Sequence, residues 1–439
     1  MYSMQLPAAF TEQTRLLLGD ERFERYLKAF DAEPPVSIRL NPLKAMDFHV
    51  ADGEQVPWCP NGYYLNTRPN FTFDPLLHAG CYYVQEASSM FLDEVLRQWL
   101  PALTSIGETK LADGEPASGT GCRPLMALDL CAAPGGKSTI LLSRLPAGSI
   151  LMSNEPNPKR ADILAENIAK WGSDTCFVTN NYPQHYRKSK LLFDIILCDV
   201  PCSGEGMFRK DAATIDQWST DNVEKCWRLQ RDIVGDAWQC LQPGGLMIYS
   251  TCTLNTKENE ENIRWAMEEL GAEPLSVQIK DEWGVTPSLL AGFDAPVYRF
   301  IPGLARGEGL FMCVMRKPGR LNASCIMPHS QKKPNSQKIP SVLKTVSTSL
   351  LQKDEPRAGI PDRVSSVPLT YSQAISYLRR EAITLPPDAP RGVVGVSYEG
   401  QLLGYVKNIG NRANNLYPKE WRIKSTYLPE MPPKVIIKK

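Results

Sequence analysis

The fold is decided by Asp129–Thr139, DLCAAPGGKST, set between the apolar run PLMAL (124–128) and the run ILLSRL (140–145). An apolar run ending in Asp, a small-residue loop with two glycines and then a helical pattern read as strand, loop and helix. That is the first turn of a nucleotide-type α/β unit. Its glycines let the backbone approach a ligand, and the following helix N-terminus faces that ligand. Two ligands compete for such a loop. GGKST invites the phosphate-binding pattern G-x-x-x-x-G-K-[ST], but the first glycine of that pattern falls where this chain has Cys131. The ligand must be decided elsewhere in the chain.

Downstream of the loop, strand-like and helix-like stretches alternate. Candidate strands are Leu125–Leu130, Ser149–Asn154, Thr175–Thr179, Phe193–Asp199, Gly245–Ser250 and Leu310–Lys317, with amphipathic helices such as KRADILAENIAKWG and RLQRDIVGDAWQCL between them. This pattern predicts a mostly parallel, doubly wound sheet with ligands at the carboxyl ends of its strands. Upstream, LLGDERFERYLKAF has helical spacing and ends at Pro34–Pro35, and PPVSIRLNP is extended. The run YYVQEASSMFLDEVLRQWL starts as a strand and turns helical at Ser88–Ser89.

At 439 residues the chain exceeds a single compact core and implies two or three domains. A net charge of +1 gives no global sign of nucleic acid, so a basic surface must be local. No apolar run approaches the ~20 residues a bilayer needs, and the opening MYSMQLPAAFTEQTR lacks a signal-peptide core. Twelve cysteines without an export signal point to a reducing cytoplasm. With four histidines and no second cysteine pair beside Cys198 and Cys202, no zinc site is expected. Cys81, Cys176, Cys240 and Cys313 read as small core residues.

The stretch 103–123 is rich in Gly, Ser and Glu and reads as a loop or insertion. Residues 318–365 have the Ser, Pro and Lys content of a flexible linker. Beyond it SQAISYLRREAI is helical, and VVGVSYEGQLLGYVKNIG reads as a hairpin turning at Glu399–Gly400. Residues 401–439 carry eight Lys/Arg against two Glu, interleaved with Tyr405, Tyr417 and Trp421. Basic residues with aromatics on a small β-rich module suit RNA or single strands.

The chemistry gathers at strand ends. Glu155 closes the second strand nineteen residues after Gly136, where an acid can hold ribose hydroxyls of an adenosine-bearing ligand. The strand FDIILCD delivers Asp199, Pro201 and Cys202, and the strand ending LMIYSTCTLN delivers Cys252. If those strands adjoin, an acid and two thiols converge beside the glycine loop. Such a group suits pyrimidine methylation. A thiolate adds at C6 of cytosine while an acid helps at N3, C5 then attacks an activated methyl, and loss of the C5 proton expels the thiol.

DLCAAPGGKST, DVPCSGEGMFRKD and YSTCTLNTKENE resemble the cofactor loop, PC motif and TC motif of RNA cytosine-C5 methyltransferases of the Nop/Sun type. Within that family the resemblance is to the bacterial RsmF-like branch, which acts on small-subunit ribosomal RNA. SIRLNPLK with LHAGCYYVQEASSM is similar to that branch's N-terminal domain, and GYVKNIGNRANNLYPKEWR to its C-terminal PUA-like module. The resemblance implies an α/β, Rossmann-like methyltransferase domain at 124–317. It implies an N-terminal α+β RNA-binding domain at 1–102 and a PUA-like module at 366–439. S-adenosylmethionine would lie on Cys131, Ala132, Ala133, Pro134, Gly135, Gly136 and Lys137, with Glu155 on the ribose and Arg160 nearby. Cys252 would attack and Cys202 would assist product release. Asp199 would hydrogen-bond the base, and Lys137 would sit where base and cofactor meet. Lys407, Arg412, Tyr417, Lys419 and Arg422 are the expected RNA contacts. The expected partner is ribosomal RNA or the small subunit, with transfer RNA as the alternative, and the expected state is a monomer. One departure is VTNNYP, where Tyr182 stands in place of an Asp that many relatives carry on the adenine side, so that either Asn181 or Tyr182 replaces that contact or this part of the pocket is looser. A P-loop nucleotidase and a non-catalytic RNA-binding factor are the rival readings, disfavoured by Cys131 and by the intact cysteines respectively.

Overall fold

The computed structural model describes residues 6–104, 122–321, 339–348, 366–425 and 427–439. Most of the 103–123 loop and of the 318–365 linker lies outside the described residues.

The N-terminal helical run is divided. Gly19, at φ +75, separates α1 (Ala8–Leu18) from α2 (Asp20–Lys28), so the expected single helix over LLGDERFERYLKAF is two. Phe10, Phe23 and Tyr26 of this pair pack against Phe208 and Trp218, close to the PC-motif loop. A small antiparallel sheet follows, in which β1 (Val36–Leu40) lies between β2 (Gly62–Leu65) and β3 (Tyr82–Val84). The helix α3 (Phe91–Thr104) begins after a short turn at Ser88–Met90, as the sequence predicts.

Among the described residues the central sheet has nine strands. Its parallel part runs β4 (Met126–Asp129), β5 (Ile150–Asn154) and β6 (Cys176–Thr179) on one side, with β7 (Phe193–Asp199) and β8 (Leu241–Thr251) on the other. The reversal of strand order at β4 is the topological switch at which open α/β sheets bind ligands. β9 (Leu310–Arg316) runs antiparallel to β8. β7 reads as a nearly continuous apolar run because helices cover both its faces. Its one internal acid, Asp194, is satisfied by the Arg123 guanidinium and the Met126 N–H. β8 begins four residues earlier than predicted, since Leu241 pairs with Phe193 before an irregularity at 241–246. The helix α4 (Gly136–Arg144) follows β4, and α5 (Pro158–Trp171) follows β5, capped by Asn157. The helix α6 (Thr220–Cys240) starts eight residues before its apolar signal, because the Ser219 side chain accepts from the Asn222 N–H and stabilises a polar first turn.

Within the expected linker, residues 339–348 dock on the catalytic sheet. β10 (Thr345–Val346) pairs antiparallel with β6. The C-terminal part contains the short helix α7 (Tyr371–Leu378), ended by Arg380 at positive φ, and the predicted hairpin of β11 (Gly392–Tyr398) and β12 (Gln401–Asn408). This part is no appended tail. Ile38, Phe48 and Tyr82 share one apolar core with Tyr377, Val394 and Val406, and Ile436–Lys438 pairs with Phe48–Val50. No helix among the described residues is long and apolar enough to cross a membrane.

Candidate active site

Three groups of residues meet at the carboxyl edge of β4, β7 and β8. The first is the glycine loop. β4 ends in Asp129, fully buried, whose Oδ2 accepts from Ser138 at 2.6 Å while Oδ1 has no protein partner. Burial pushes this carboxyl up to about 7. The loop turns at Gly135, whose φ of +114 excludes most side chains, and α4 begins. Its carbonyls are held from outside. Arg160 donates to Ala133 O at 2.9 Å and Asn167 donates to Pro134 O at 2.8 Å. Thr139 and, more distantly, Arg39 donate to Gly136 O. These bonds hold the loop by its carbonyls, the Ala132 N–H donates to Asn154 O at 2.8 Å, and the N-terminus of α4 follows at the carboxyl end of β4, where a ligand can meet it.

Glu155 follows β5 and is 2% exposed; its Oε1 accepts the Asn157 N–H at 2.9 Å, and Oε2 lies 3.4 Å from Arg160. Arg160 therefore braces both the acid and the loop. The third-strand turn is spoken for by scaffold contacts. Asn181 is buried and both its amide atoms bond to the backbone of Lys344, whereas Tyr182 is 60% exposed.

The third group is the thiol pair. β7 and β8 adjoin in parallel, with Asp199 opposite Ser250. This brings Cys202 Sγ and Cys252 Sγ to 3.2 Å. Lys137 reaches from α4 to Asp199 Oδ1 at 2.7 Å, and Ser250 donates to the same oxygen at 2.6 Å. Burial opposes the charge on Lys137, but the Asp199 carboxylate outweighs it and holds the ammonium above its usual range. The Cys202 thiol is pushed well up, first by its hydrogen bond with Cys252 and then by burial. Cys202 thus stays protonated beside its neighbour.

Two buried glutamates, which the motifs contain but the sequence reading passed over, tie the thiol loops together. Glu205 accepts from Leu254 N–H, Asn255 N–H and Trp218 Nε1, and Glu258 accepts from Ser203 N–H, Gln230 and Asn255. Gly206 donates its N–H to Cys252 O at 2.8 Å. Arg39 was passed over too. It is wholly buried, stacks on Trp171, and donates to Gln85 and Thr139 with no carboxylate partner. The signal for Glu205 and Glu258 was present, since both stand within the thiol motifs themselves, in SGEG and TKENE. The signal for Arg39 was not, because its contacts lie about 100 residues away in sequence.

Of the expected RNA contacts, Lys407, Arg412, Lys419 and Arg422 are exposed on the C-terminal part. Tyr417 is a correction. It is 1% exposed, packed between Tyr377 and Trp421, and its ring is core rather than a stacking surface for a base.

Three family models match successive parts of the chain. The N-terminal domain of 16S rRNA methyltransferase RsmF matches residues 6–87, 16S rRNA methyltransferase RsmB/F matches 124–316, and the methyltransferase RsmF PUA domain matches 364–423. The ribosomal RNA small subunit methyltransferase F of Pectobacterium atrosepticum is 33% identical over 72% of this chain and 63% of its own length. The protein of the same name from Shewanella loihica is 28% identical over 88% of each chain. The chain thus spans less than two thirds of the first of these relatives. A methyltransferase homologue from Pyrococcus horikoshii, solved by crystallography, superposes with a TM-score of 0.54 at 25% identity, over 71% of this chain and all of that one. NSun6 from the same organism, solved with SFG, gives 0.56 at 19% identity, over 73% of this chain and all of that one. With a central sheet whose carboxyl edge joins a glycine loop to two thiols, and with all three models matched in order, the chain belongs to the RsmB/F family of 16S rRNA methyltransferases.

Proposed function

We propose that this chain methylates C5 of a cytosine in small-subunit ribosomal RNA, with S-adenosylmethionine as donor. The observation that carries the reading is the 3.2 Å approach of Cys202 and Cys252 beside the Lys137–Asp199 pair. The residues present fit the donor. Asp129 Oδ1 is a buried acceptor without a hydrogen-bond partner among the described residues, and Glu155 stands just past the end of the neighbouring strand. Bound S-adenosylmethionine would supply the electrophilic methyl group.

The chain's own residues would act as follows. The target base leaves its stack to reach the strand edge. Cys252 Sγ forms a bond to C6, which makes C5 nucleophilic. The Lys137 ammonium lies within electrostatic reach of that sulfur. Both contacts of Asp199 fall on Oδ1, which leaves Oδ2 to hydrogen-bond the base. After C5 is methylated its proton is lost and the Sγ–C6 bond breaks, with the Cys202 side chain assisting release. A cleft of about 890 Å³ lies on the N-terminal side, lined by Arg68, Arg209 and Lys210 together with Glu33 and Glu86, and its Gln85 also flanks Gly136 of the glycine loop. Together with the exposed cations of the C-terminal part, it offers a path for the RNA backbone.

Cys252→Ala is expected to abolish methyl transfer, and Cys202→Ala to accumulate a covalent enzyme–RNA adduct on a denaturing gel. An adduct that survives Cys252→Ala but disappears in Cys202→Ala would reverse the two roles. Bisulfite mapping of total RNA with and without the gene tests the substrate: loss of a mark in transfer RNA alone would move the assignment to that class.

A further inference from the structure

The segment 339–348 stands apart from the rest of the chain between 322 and 365 because it has a built berth. β10 continues the central sheet past β6, with Thr345 opposite Thr179 and Val346 opposite Val178. At the carboxyl end of β6 the attachment becomes side-chain specific. Asn181 Oδ1 accepts the Lys344 N–H at 2.9 Å, Asn181 Nδ2 donates to Lys344 O at 3.0 Å, and the Asn180 N–H donates to the same carbonyl at 2.9 Å. A buried amide has to satisfy both its atoms, and here the docked backbone alone does so for the side chain.

This berth is wired to the cofactor seat from two directions. Asn180 Nδ2 donates to Glu155 O at 2.8 Å and to Pro156 O at 3.0 Å, so one residue joins the docked segment to the acid of the second strand. Asn154 Nδ2 bonds both Leu130 O and Asn181 O, joining the glycine loop's first residues to the same turn. Leu343, 6% exposed, lies in the apolar cluster that also contains Leu130 and Val200 and against which Cys131 packs. Val342 beside it is 40% exposed. Ligands of open α/β sheets lie beyond the carboxyl ends of the strands, and residues 339–344 lie beyond that end of β6.

We propose that residues 339–348 form the adenine-side wall of the cofactor pocket, against the turn of Asn180 and Asn181 that follows β6. The inference rests on the adenosyl reading of the glycine loop. Asn181 does not read the ligand; it positions the wall, and Leu343 anchors it. The purine would be met by backbone and apolar surface of this segment rather than by a carboxylate. A stretch between the catalytic sheet and the C-terminal part thereby becomes part of the cofactor site.

Hydrogen exchange on the wild-type full chain tests this without any substitution. Saturating S-adenosylhomocysteine is expected to slow exchange of the Lys344 to Val346 and Asn180 amides, and methionine, which lacks the purine, is expected not to. Protection at 129–139 and 155 with none at 344–346 would overturn the proposal. In parallel, Asn181→Ala and Leu343→Ala are expected to weaken S-adenosylhomocysteine and adenosine about tenfold by calorimetry, the scale of a lost buried hydrogen bond or apolar anchor. RNA affinity in filter binding should be unchanged. Unaltered nucleoside affinity in both variants would overturn it. If the wild-type chain binds no S-adenosylhomocysteine, the adenosyl reading fails, and the proposal with it.

Discussion

The two halves of the site are held in different ways. The thiol loops are braced by their own motifs: Glu205 and Gly206 of the first loop bond to residues 252–255 of the second, and Glu258 of the second bonds back to Ser203. The glycine loop is braced by strangers. Arg39 and Gln85 come from the small N-terminal sheet, and Asn167 and Arg160 come from α5. Damage within the motifs should therefore fall on the chemical step. Damage to the outer brace should fall on cofactor affinity. The two can be separated kinetically.

The hardest test of the inner brace is Gly206→Ala. A Cβ there would lie 2.6 Å from Gly309 Cα and 2.8 Å from Cys252 O, both backbone atoms with no room to yield. The loop must move, and Cys252 with it. A misplacement of about 1 Å costs on the order of a hundredfold in rate, so kcat is expected to fall about a hundredfold while the KM for S-adenosylmethionine holds. A variant with normal kcat and a raised cofactor KM would erase the distinction between the two braces.

That distinction also explains what the sequence made legible. β7 was readable to the residue because a strand buried on both faces is an unbroken apolar run. The convergence of Asp199, Cys202 and Cys252 followed from strand adjacency alone. Gly19 was missed as a break because helical spacing continues across it, and only its left-handed φ shows the division. Tyr417 was misread because an aromatic among lysines looks like a stacking surface, while its burial depends on Tyr377 forty residues earlier. The docking of 339–348 had no signal in composition. Three hydrogen bonds between Asn180 or Asn181 and the backbone of Lys344 outweigh a linker-like sequence, and nothing local announces them.

The outer brace is tested more gently by Arg39. Burial lowers this guanidinium to about 10, yet it remains charged at neutral pH and donates to Thr139, Gln85 and Gly136 O. Arg39→Met should raise the cofactor KM about tenfold, the size expected for a lost charge-assisted bond, with kcat nearly retained. Arg39→Lys keeps the charge but not the fork, and should recover only part of the affinity. A fall in kcat equal to that of Gly206→Ala would show that the outer brace also positions Cys252.

The smallest effect concerns Asp129, buried at the end of β4 and bonded to Ser138 of α4. Its folded value, raised to about 7 by burial, lies above the ~3.9 of an unfolded Asp. Between those values the folded chain binds more protons than the unfolded one, so stability contributed by the protonated form is fully present below about 4 and is lost as pH rises through about 7. Asp129→Asn removes that titration. Thermal unfolding of the variant, compared with wild type between pH 5 and 8, should show a shallower decline with rising pH, and its relative gain should be greatest at pH 8. Parallel declines would mean that Asp129 is ionised throughout, with its Oδ1 stabilised by a donor other than the protein. The same variant should bind S-adenosylhomocysteine more weakly at pH 8 than at pH 6 relative to wild type, because at pH 8 it lacks the charged acceptor that wild type then presents.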